Sequence, residues 1–489
     1  MKIVHLTTEF APIAKAGGLG DVLVGLSREL IKLGHEVEVI LPKYDLLPST
    51  LAVKKELSNF LCMEKGIPHA NTMWKARVEN CPLLLLDTEH PKHYFRRGKI
   101  YGCEDDISRF LYFCKAVCEY LQIQGKEIDV LHLHDWPTAI AAVLARDLFH
   151  LKVKRIVLTV HNAEYQGLCS PSDLDALGLH GAQYLTKDKL QDDNPHHPNL
   201  LNLLKGGVVY ADRVNAVSPT YAKEILTQEI GHYLSHTFRQ NKAKLRGILN
   251  GIDQIIWDPK ADPVLFSSYG AHDAVPRILA AKEGAKRQIH DRFGVDLRKT
   301  PWIGCITRIV PQKGPELIEA GLRKAVEQGA AFLLLGSSPI PSLQHHFDHL
   351  KKEFAGVKNV LLHFEYDETL AHQLYAALDF VLMPSHFEPC GLSQLIAMRY
   401  GAIPIVRATG GLQDTVVDEE CKGMPLEKRN GIVFQNATEH DLVHALTRAI
   451  QIYRLQPAQF HSMVQRVMRN QFDWTQSAQQ YVEMYTTLL

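Results

Sequence analysis

Two basic residues in the second half of the chain, Arg308 and Lys313, stand five positions apart in Arg308-Ile309-Val310-Pro311-Gln312-Lys313-Gly314, directly after an apolar run. As an exposed pair they would be solvated and energetically minor. At the mouth of a parallel sheet they could clamp a diphosphate, because a guanidinium offers a fork and an ammonium offers a point charge. The pair is therefore the first candidate for phosphate chemistry.

A glycine-rich segment near the start of the chain is the second candidate. Lys15-Ala16-Gly17-Gly18-Leu19-Gly20-Asp21-Val22 follows the apolar run Ile3–Leu6 and precedes a helical pattern over Val22–Leu30. A strand, glycines and a helix N-terminus together present backbone N–H groups to an anion. The spacing matches neither the dinucleotide motif nor the P-loop. Three glycines alone favour a simple tight turn, whereas the flanking Lys15 and Asp21 favour a ligand site.

A third candidate leads into the helix predicted over Gln394–Tyr400. It is the segment Pro384-Ser385-His386-Phe387-Glu388-Pro389-Cys390-Gly391-Leu392-Ser393. The helix N-terminus is an anion site, and Glu388 beside it could be a simple dipole-capping residue. Because a carboxylate would repel a phosphate, contact between Glu388 and sugar hydroxyls is the more attractive interpretation.

Further polar residues collect where strands are predicted to end, which is where open α/β sheets bind ligands. His132 is interpreted as a satisfied interior histidine, whereas for His134 and Asp135 structural and functional interpretations are balanced. The others in this group are Glu9, Trp136, His161 and Asn162.

The elements that must position these residues alternate between strand and helix in both halves, which predicts parallel sheets covered on both faces. Gly-Gly-Leu-x-Asp follows a strand at Gly17 and again at Gly410, which fits two doubly wound domains facing each other. The polar stretch Gln228–Lys242 is the predicted boundary, and the tail from Gln465 is predicted to be helical. Predicted strands are Ile3–Leu6, Val37–Leu41, Leu83–Leu86, Val130–Leu133, Arg155–Val160, Arg213–Val217, Trp302–Thr307, Ala331–Leu335, Val360–Phe364, Phe380–Pro384 and Ala402–Arg407. Predicted helices include Ile107–Leu121, Ala139–Leu148, Pro315–Gln328 and Thr369–Ala377.

Composition limits the classes of function. The chain has 489 residues, 46% hydrophobic and 22% charged, with a formal net charge of zero. These values predict a soluble protein of two or more domains and give no reason to expect nucleic acid or a membrane as partner. The nine cysteines lack metal-site spacing, so reduced thiols are expected. Polar residues Thr7, Thr8 and Glu9 interrupt the first apolar run, which argues against a signal peptide and predicts a cytoplasmic protein.

The motifs, taken together and in order, resemble those of bacterial glycogen synthases, in the glycogen/starch synthase family of retaining glycosyltransferases. The resemblance covers essentially the whole chain, and the combination K-x-G-G-L-x-D-V with E-P-C-G-L is specific. The segments that carry it are Lys15–Val22, Val160–Asn162, Val217–Tyr221, Leu249–Asp253, Arg308 with Lys313, Phe387–Leu392 and Thr409–Val416.

The resemblance implies a GT-B architecture with an active site in a cleft between two Rossmann-like domains. Residues 1–240 would form the acceptor domain, 241–464 the nucleotide-sugar domain, and 465–489 a helical tail crossing back to the first. The implied reaction transfers glucose from ADP-glucose to the non-reducing end of an α-1,4-glucan such as glycogen, with retention, and without a metal or a cofactor. The choice between ADP-glucose and UDP-glucose stays open, and the cleft is expected to close on its donor.

The resemblance also implies roles for single residues. Arg308 and Lys313 would offset charge on the leaving diphosphate. Glu388, with the backbone of Cys390 and Gly391, would hold glucose hydroxyls, while Leu392 and Ser393 would bind phosphate. Lys15, Gly17 and Gly18 would lie near the phosphates and glucosyl group, Tyr366 would stack on the base, and the His161 carbonyl would face the reacting carbon. Residues around the acceptor sugar and the donor glucose would be Glu9, Asp135, Trp136, Asn162 and Asn250.

The chain departs from related patterns at three places. Ile396 stands where many retaining GT-B relatives carry a second glutamate, His386 stands where arginine is common, and Tyr94–Gly98 follows the family's D-R-x-G only loosely. Two other functions remain open at this level. One is a glucan phosphorylase, although no segment matches its cofactor-lysine site, and the other is a non-catalytic glucan-binding protein.

Overall fold

The structure is a computed structural model that describes residues 1–297 and 299–487. The chain forms two compact units: Met1–Gly251 together with the chain from Trp474 onward, and Ile252–Asp473. These boundaries lie later in the chain than the predicted ones after residues 240 and 464. Each unit is built around its own sheet, as the alternating pattern predicts.

The first unit contains a nine-stranded sheet in the order β11-β10-β7-β6-β1-β2-β5-β4-β3, in which all neighbours are parallel except β3 with β4 and β4 with β5. The order reverses at β1, which pairs with β2 on one side and β6 on the other. The strands, including the separate pair β8 and β9, are β1 Lys2–Leu6, β2 Glu36–Pro42, β3 Val53–Glu64, β4 Ile67–Val78, β5 Cys81–Thr88, β6 Ile128–His134, β7 Val153–Val160, β8 Leu168–Cys169, β9 Leu201–Asn202, β10 Arg213–Ala216 and β11 Leu245–Gly247.

The antiparallel strands β3 and β4 correct the expectation of a purely parallel sheet. They are joined at Lys65 and Gly66, which both have positive φ (51° and 77°) as a tight hairpin turn requires. Polar residues interrupt both strands, and only two of the twelve residues of the edge strand β3 and three of the twelve of β4 are buried, so they lack the apolar run that marks the buried strands.

The helices of this unit cover the sheet. The polar segment Gln228–Lys242 was expected to be an irregular boundary, and this is wrong: it forms short helical segments inside the first unit. The helices are α1 Gly18–Lys32, α2 Asp106–Gln124, α3 Trp136–Val143, α4 Pro171–Asp175, α5 Leu203–Tyr210, α6 Pro219–Glu224, α7 Gln228–Gly231 and α8 Ser235–Gln240, with shorter turns at Leu144–Leu148, Gly181–Tyr184, His232–Leu234 and Lys242–Lys244.

The second unit contains a six-stranded, entirely parallel sheet in the order β14-β13-β12-β15-β16-β17, which reverses between β12 and β15. Its strands are β12 Trp302–Ile306, β13 Ala331–Leu335, β14 Val360–His363, β15 Phe380–Met383, β16 Ile403–Arg407 and β17 Ile432–Phe434. Its helices are α9 Val275–Phe293, α10 Pro315–Glu327, α11 Pro341–Glu353, α12 Glu368–Ala377, α13 Ser393–Arg399, α14 Gly410–Thr415, α15 Glu439–Leu455 and α16 Pro457–Arg469, with turns at Pro311–Lys313 and Leu426–Lys428. Strands and helices enclose one apolar core.

The last helix, α17 (Trp474–Thr486), belongs to the first unit. Trp474 packs so closely on Gly25 of α1 that a side chain at Gly25 would overlap the indole ring. Tyr481 accepts a hydrogen bond from Asn215 (2.8 Å), and the Tyr485 hydroxyl lies 2.8 Å from His132 Nδ1. The C-terminal helix therefore packs on α1 and on strands β6 and β10 of the first sheet.

Candidate functional site

In the second unit the candidate residues lie at the carboxyl ends of β12 and β15, where the strand order reverses. Ligands bind at such switch points in open α/β sheets. Arg308 follows β12, and Glu388 follows β15. The topology thus brings together two segments that are far apart in the sequence.

Lys313 and Glu388 form an ion pair between Lys313 Nζ and Glu388 Oε2. Ser385 Oγ donates a second hydrogen bond to the same carboxylate oxygen (3.0 Å), and Glu388 is only 5% exposed. Arg308 differs, because its guanidinium is exposed and has no hydrogen bond or ion pair to any residue in the described ranges. The site therefore contains one cation, Lys313, that is paired with a carboxylate, and a second, Arg308, that can bind an anionic ligand.

The loop that carries Glu388 is fixed by backbone and buried polar contacts. The Gly411 amide donates to the Glu388 carbonyl oxygen (3.0 Å), and Gln394 Nε2 donates to the carbonyl oxygens of Cys390 and Gly391 (both 3.0 Å). Arg407 Nε donates to the Ser385 carbonyl oxygen (2.8 Å). The sequence patterns missed Ser385, Gln394 and Arg407, since their roles depend on folded neighbours.

Replacement of Gly411 by alanine is expected to lower the free energy of unfolding by about 1–3 kcal/mol, because the added methyl group would overlap the Cys390 carbonyl oxygen. The loop holding Glu388 must shift to admit it. Denaturant unfolding measures the effect, and Gly423→Ala is the matched control because nothing lies within 4 Å of the corresponding position. Equal stabilities of the two variants would contradict the prediction.

Other predicted residues of the second unit differ in accessibility. Tyr366 is 82% exposed, so its side chain is accessible to a planar ligand. Cys390 is buried, whereas Gly391 and Leu392 are half-buried. Ser393 begins α13 and donates through Oγ to the Ile306 carbonyl oxygen (3.3 Å).

In the first unit the glycine-rich turn binds a carboxylate of the protein itself. Glu9 Oε2 accepts hydrogen bonds from the amides of Ala16 (2.7 Å) and Gly17 (2.8 Å), and Tyr101 donates to Glu9 Oε1 (2.9 Å). The Gly17 amide, expected near a donor phosphate, is thus already paired. Gly18 begins α1, and Lys15 Nζ lies 2.9 Å from Asp21 Oδ1. The anion on this turn in the structure is Glu9.

Asp135 and His161 meet where β6 and β7 end. Asp135 Oδ1 accepts the His161 amide (2.6 Å) and the Asn162 amide (3.3 Å). Burial, with a smaller contribution from the charge of nearby Glu9, raises the pKa of the Asp135 carboxyl to about 7, although the hydrogen bonds from the His161 and Asn162 amides act to lower it. Asp135 also has a positive φ of 58°. The carboxyl therefore fixes the backbone at His161, whose carbonyl the resemblance assigns to the reacting carbon.

This raised pKa predicts a pH-dependent stability. In the unfolded chain Asp135 loses its proton near pH 4, whereas in the folded protein it does so near pH 7. The stability contribution is therefore complete below about pH 4 and is lost as the pH rises to about 7. The variant Asp135→Asn keeps an acceptor oxygen but does not titrate. Its free energy of unfolding is therefore expected to fall less between pH 4 and pH 7 than that of the wild type. Urea titrations at several pH values measure it, and identical pH slopes for both proteins would refute the assignment.

The remaining first-unit candidates are Trp136 and Asn250. Trp136 begins α3, is half-buried, and packs edge-on against Phe110 with ring centroids 5.6 Å apart. Asn250 is buried, and its Oδ1 has no hydrogen-bond partner among the described residues. An unpaired buried oxygen is costly, so this atom is suited to a ligand hydroxyl.

Comparison with known proteins identifies the family. The starch synthase catalytic domain matches residues 2–240, and the glycosyl transferases group 1 domain matches residues 287–460. The chain is 41% identical to glycogen synthase of Protochlamydia amoebophila, covering 100% of this chain and 99% of that one. The chain belongs to the glycogen and starch synthase family. A probable starch synthase 4 of Arabidopsis thaliana is also 41% identical, and the chain spans 46% of its length.

A solved structure supports the family at the level of the fold. The catalytic domain of starch synthase IV from Arabidopsis thaliana, bound to ADP and acarbose, superimposes with a TM-score of 0.95 at 41% identity, covering 99% of this chain and 98% of that one. The predicted fold class, GT-B with two Rossmann-like doubly wound units, is therefore confirmed, and the chain is a glycosyltransferase. Among the described residues, no helix is long and apolar enough to cross a membrane.

Proposed function

We propose that this chain is a retaining glucosyltransferase that moves glucose from ADP-glucose to the non-reducing end of an α-1,4-glucan. The observation that carries the proposal is the cation arrangement at the β12/β15 switch point, in a chain of this family. Arg308 is exposed and has no counter-ion among the described residues, and Lys313 is held against Glu388. Two cations at this position suit a leaving diphosphate, on which negative charge develops during transfer.

The donor would be bound by the second unit. Arg308 and Lys313 would contact the diphosphate, Glu388 the glucose hydroxyls, and the exposed ring of Tyr366 the base. Both contacts of the Glu388 carboxylate with described side chains involve Oε2, which leaves Oε1 for a hydroxyl. Backbone groups of Cys390 and Gly391 would contact the same sugar, and Leu392 and Ser393 the phosphate.

The first unit would bind the acceptor glucan and the transferred glucose. Asp135 holds the backbone of His161 and Asn162, and the His161 carbonyl would face the reacting carbon. Trp136 offers a half-buried ring to a sugar face, and Asn250 Oδ1 offers an unpaired acceptor to a hydroxyl. Glu9 and Lys15 would act beside the glycine-rich turn, where Glu9 holds the amides of Ala16 and Gly17.

ADP-glucose is preferred over UDP-glucose in this proposal because the similar starch synthase IV structure is bound to ADP. A donor panel tests it. Purified full-length protein is incubated with glycogen and with ADP-, UDP- or GDP-glucose at equal concentration, and release of nucleoside diphosphate is measured. We expect the highest kcat/KM for ADP-glucose. A higher value for UDP-glucose would overturn the donor assignment, and phosphate-dependent formation of glucose 1-phosphate would overturn synthase activity itself.

A further inference from the structure

Three histidines of the first unit form one hydrogen-bonded chain that ends at His161. His5 on β1 places Nδ1 3.1 Å from His134 Nε2, and His134, the last residue of β6, places Nδ1 3.1 Å from His161 Nε2. The strands β1, β6 and β7 are neighbours in the sheet, so the three rings lie side by side. His5 and His134 are fully buried.

All three imidazoles are neutral in the folded protein. Burial lowers the pKa of His5 and of His161 to about 3, and it lowers the pKa of His134 as well. A neutral imidazole has one N–H donor and one bare acceptor nitrogen. His134, the middle ring, must therefore accept a hydrogen bond at one nitrogen and donate one at the other, so only two proton orders are possible.

The environment of His5, the first histidine of the hydrogen-bonded series, selects between these two proton orders. His5 Nε2 is buried and has no hydrogen-bond partner among the described residues. If His134 donated to His5, His5 Nε2 would carry a buried N–H without an acceptor, which folded proteins very rarely contain. In the opposite order His5 Nε2 is bare. His5 Nδ1–H then donates to His134 Nε2, and His134 Nδ1–H donates to His161 Nε2.

We propose that His5 and His134 are positioning residues that hold His161 in the tautomer with its proton on Nδ1. His161 is half-buried, and its Nδ1 has no hydrogen bond to a described residue and is not fully enclosed, so a ligand can reach this atom. His161 then presents a fixed N–H donor to an oxygen of the bound sugar. That the acceptor oxygen belongs to a sugar rests on the function proposed above, whereas the tautomer of His161 does not.

His132 provides an internal control because it lies in the same buried cluster but is not hydrogen-bonded to His5, His134 or His161. Its ring lies 4.2 Å from that of His134, centroid to centroid. Its two nitrogens lie 2.8 Å from the Tyr485 hydroxyl and 2.7 Å from Thr159 Oγ1. A hydroxyl can donate or accept a hydrogen bond, so these contacts are compatible with either tautomer of His132. His132 therefore does not determine the tautomer of His161.

Nitrogen-15 NMR of the full-length protein labelled at histidine tests the tautomer directly. The His161 signals are assigned by their loss in His161→Gln. We expect Nδ1 to be protonated and Nε2 bare in the wild type and in His132→Leu. A protonated Nε2 on His161 in the wild type would overturn the proposal. The tautomer is read without substrate, so absence of glucosyl transfer with every donor would count against the proposed function and leave this result intact.

Kinetics of two His5 variants test whether the proton order matters for turnover. His5→Leu removes the donor, whereas His5→Asn keeps an N–H near the position of Nδ1. We expect kcat to fall about tenfold in His5→Leu, with KM for the donor unchanged, and to lie within about threefold of wild type in His5→Asn. Equal losses of kcat in both variants, each folded by circular dichroism, would overturn the positioning role.

Discussion

Replacement of Arg308 by alanine is expected to lower kcat for glucosyl transfer by about 10²–10³-fold while leaving the thermal unfolding temperature unchanged. Stability is unaffected because the guanidinium is exposed and has no partner among the described residues. Turnover falls because a preorganised cation no longer offsets charge on the leaving diphosphate. Steady-state rates and thermal melts on the same preparations measure both effects.

A matched control for this variant is Arg323→Ala on α10. Arg323 is also exposed, but it pairs with Glu319 (2.8 Å) and Glu353 (2.5 Å) on the surface. We expect its kcat to remain within about twofold of wild type, since exposed ion pairs contribute little. Arg308→Lys is expected to recover part of the loss because it keeps the charge and loses the fork. Full activity in Arg308→Ala would remove Arg308 from the proposed mechanism.

Replacement of Lys313 by alanine is expected to impair both turnover and stability. Loss of the ammonium removes the second diphosphate cation and lowers kcat by about 10³-fold. Within the described part of the chain it also leaves the Ser385 hydroxyl as the one partner of the buried Glu388 carboxylate, which destabilises the fold by about 3 kcal/mol. Initial rates and denaturant unfolding separate the two consequences.

The double variant Lys313→Ala/Glu388→Gln distinguishes catalysis from stability. A neutral amide no longer requires a cation, so we expect most of the lost stability to return. Activity is expected to stay low, because neither the diphosphate cation nor the sugar-binding carboxylate is restored. Recovery of turnover in the double variant would mean that Lys313 serves only to neutralise Glu388.

Much of the fold could be predicted because its buried strands are continuous apolar runs. Val130–Leu133 and Ala331–Leu335 were predicted within two residues of β6 and β13. The predictions failed where exposed elements carry polar residues, as in the hairpin β3–β4 and in the segment Gln228–Lys242. Burial produces a periodic apolar pattern, and these segments have little of it.

The site was predictable as a set of residue types but not as a set of contacts. The pattern placed Lys313 and Glu388 at strand ends, yet their ion pair depends on β12 and β15 being neighbours. Likewise, the glycine-rich turn indicated an anion, but only the fold shows that Glu9 occupies the Ala16 and Gly17 amides. Such pairings follow from strand order, which local spacing does not encode.

The most direct test of glucosyl transfer is the stoichiometry of products in one reaction mixture. Full-length protein is incubated with ADP-[¹⁴C]glucose and glycogen, and ADP release and label bound to glucan are followed together. The proposed function predicts one ADP for each glucosyl unit incorporated, with the label released by enzymes specific for α-1,4 linkages. ADP release with label appearing as free glucose, or no ADP release with active-site residues intact, would contradict it.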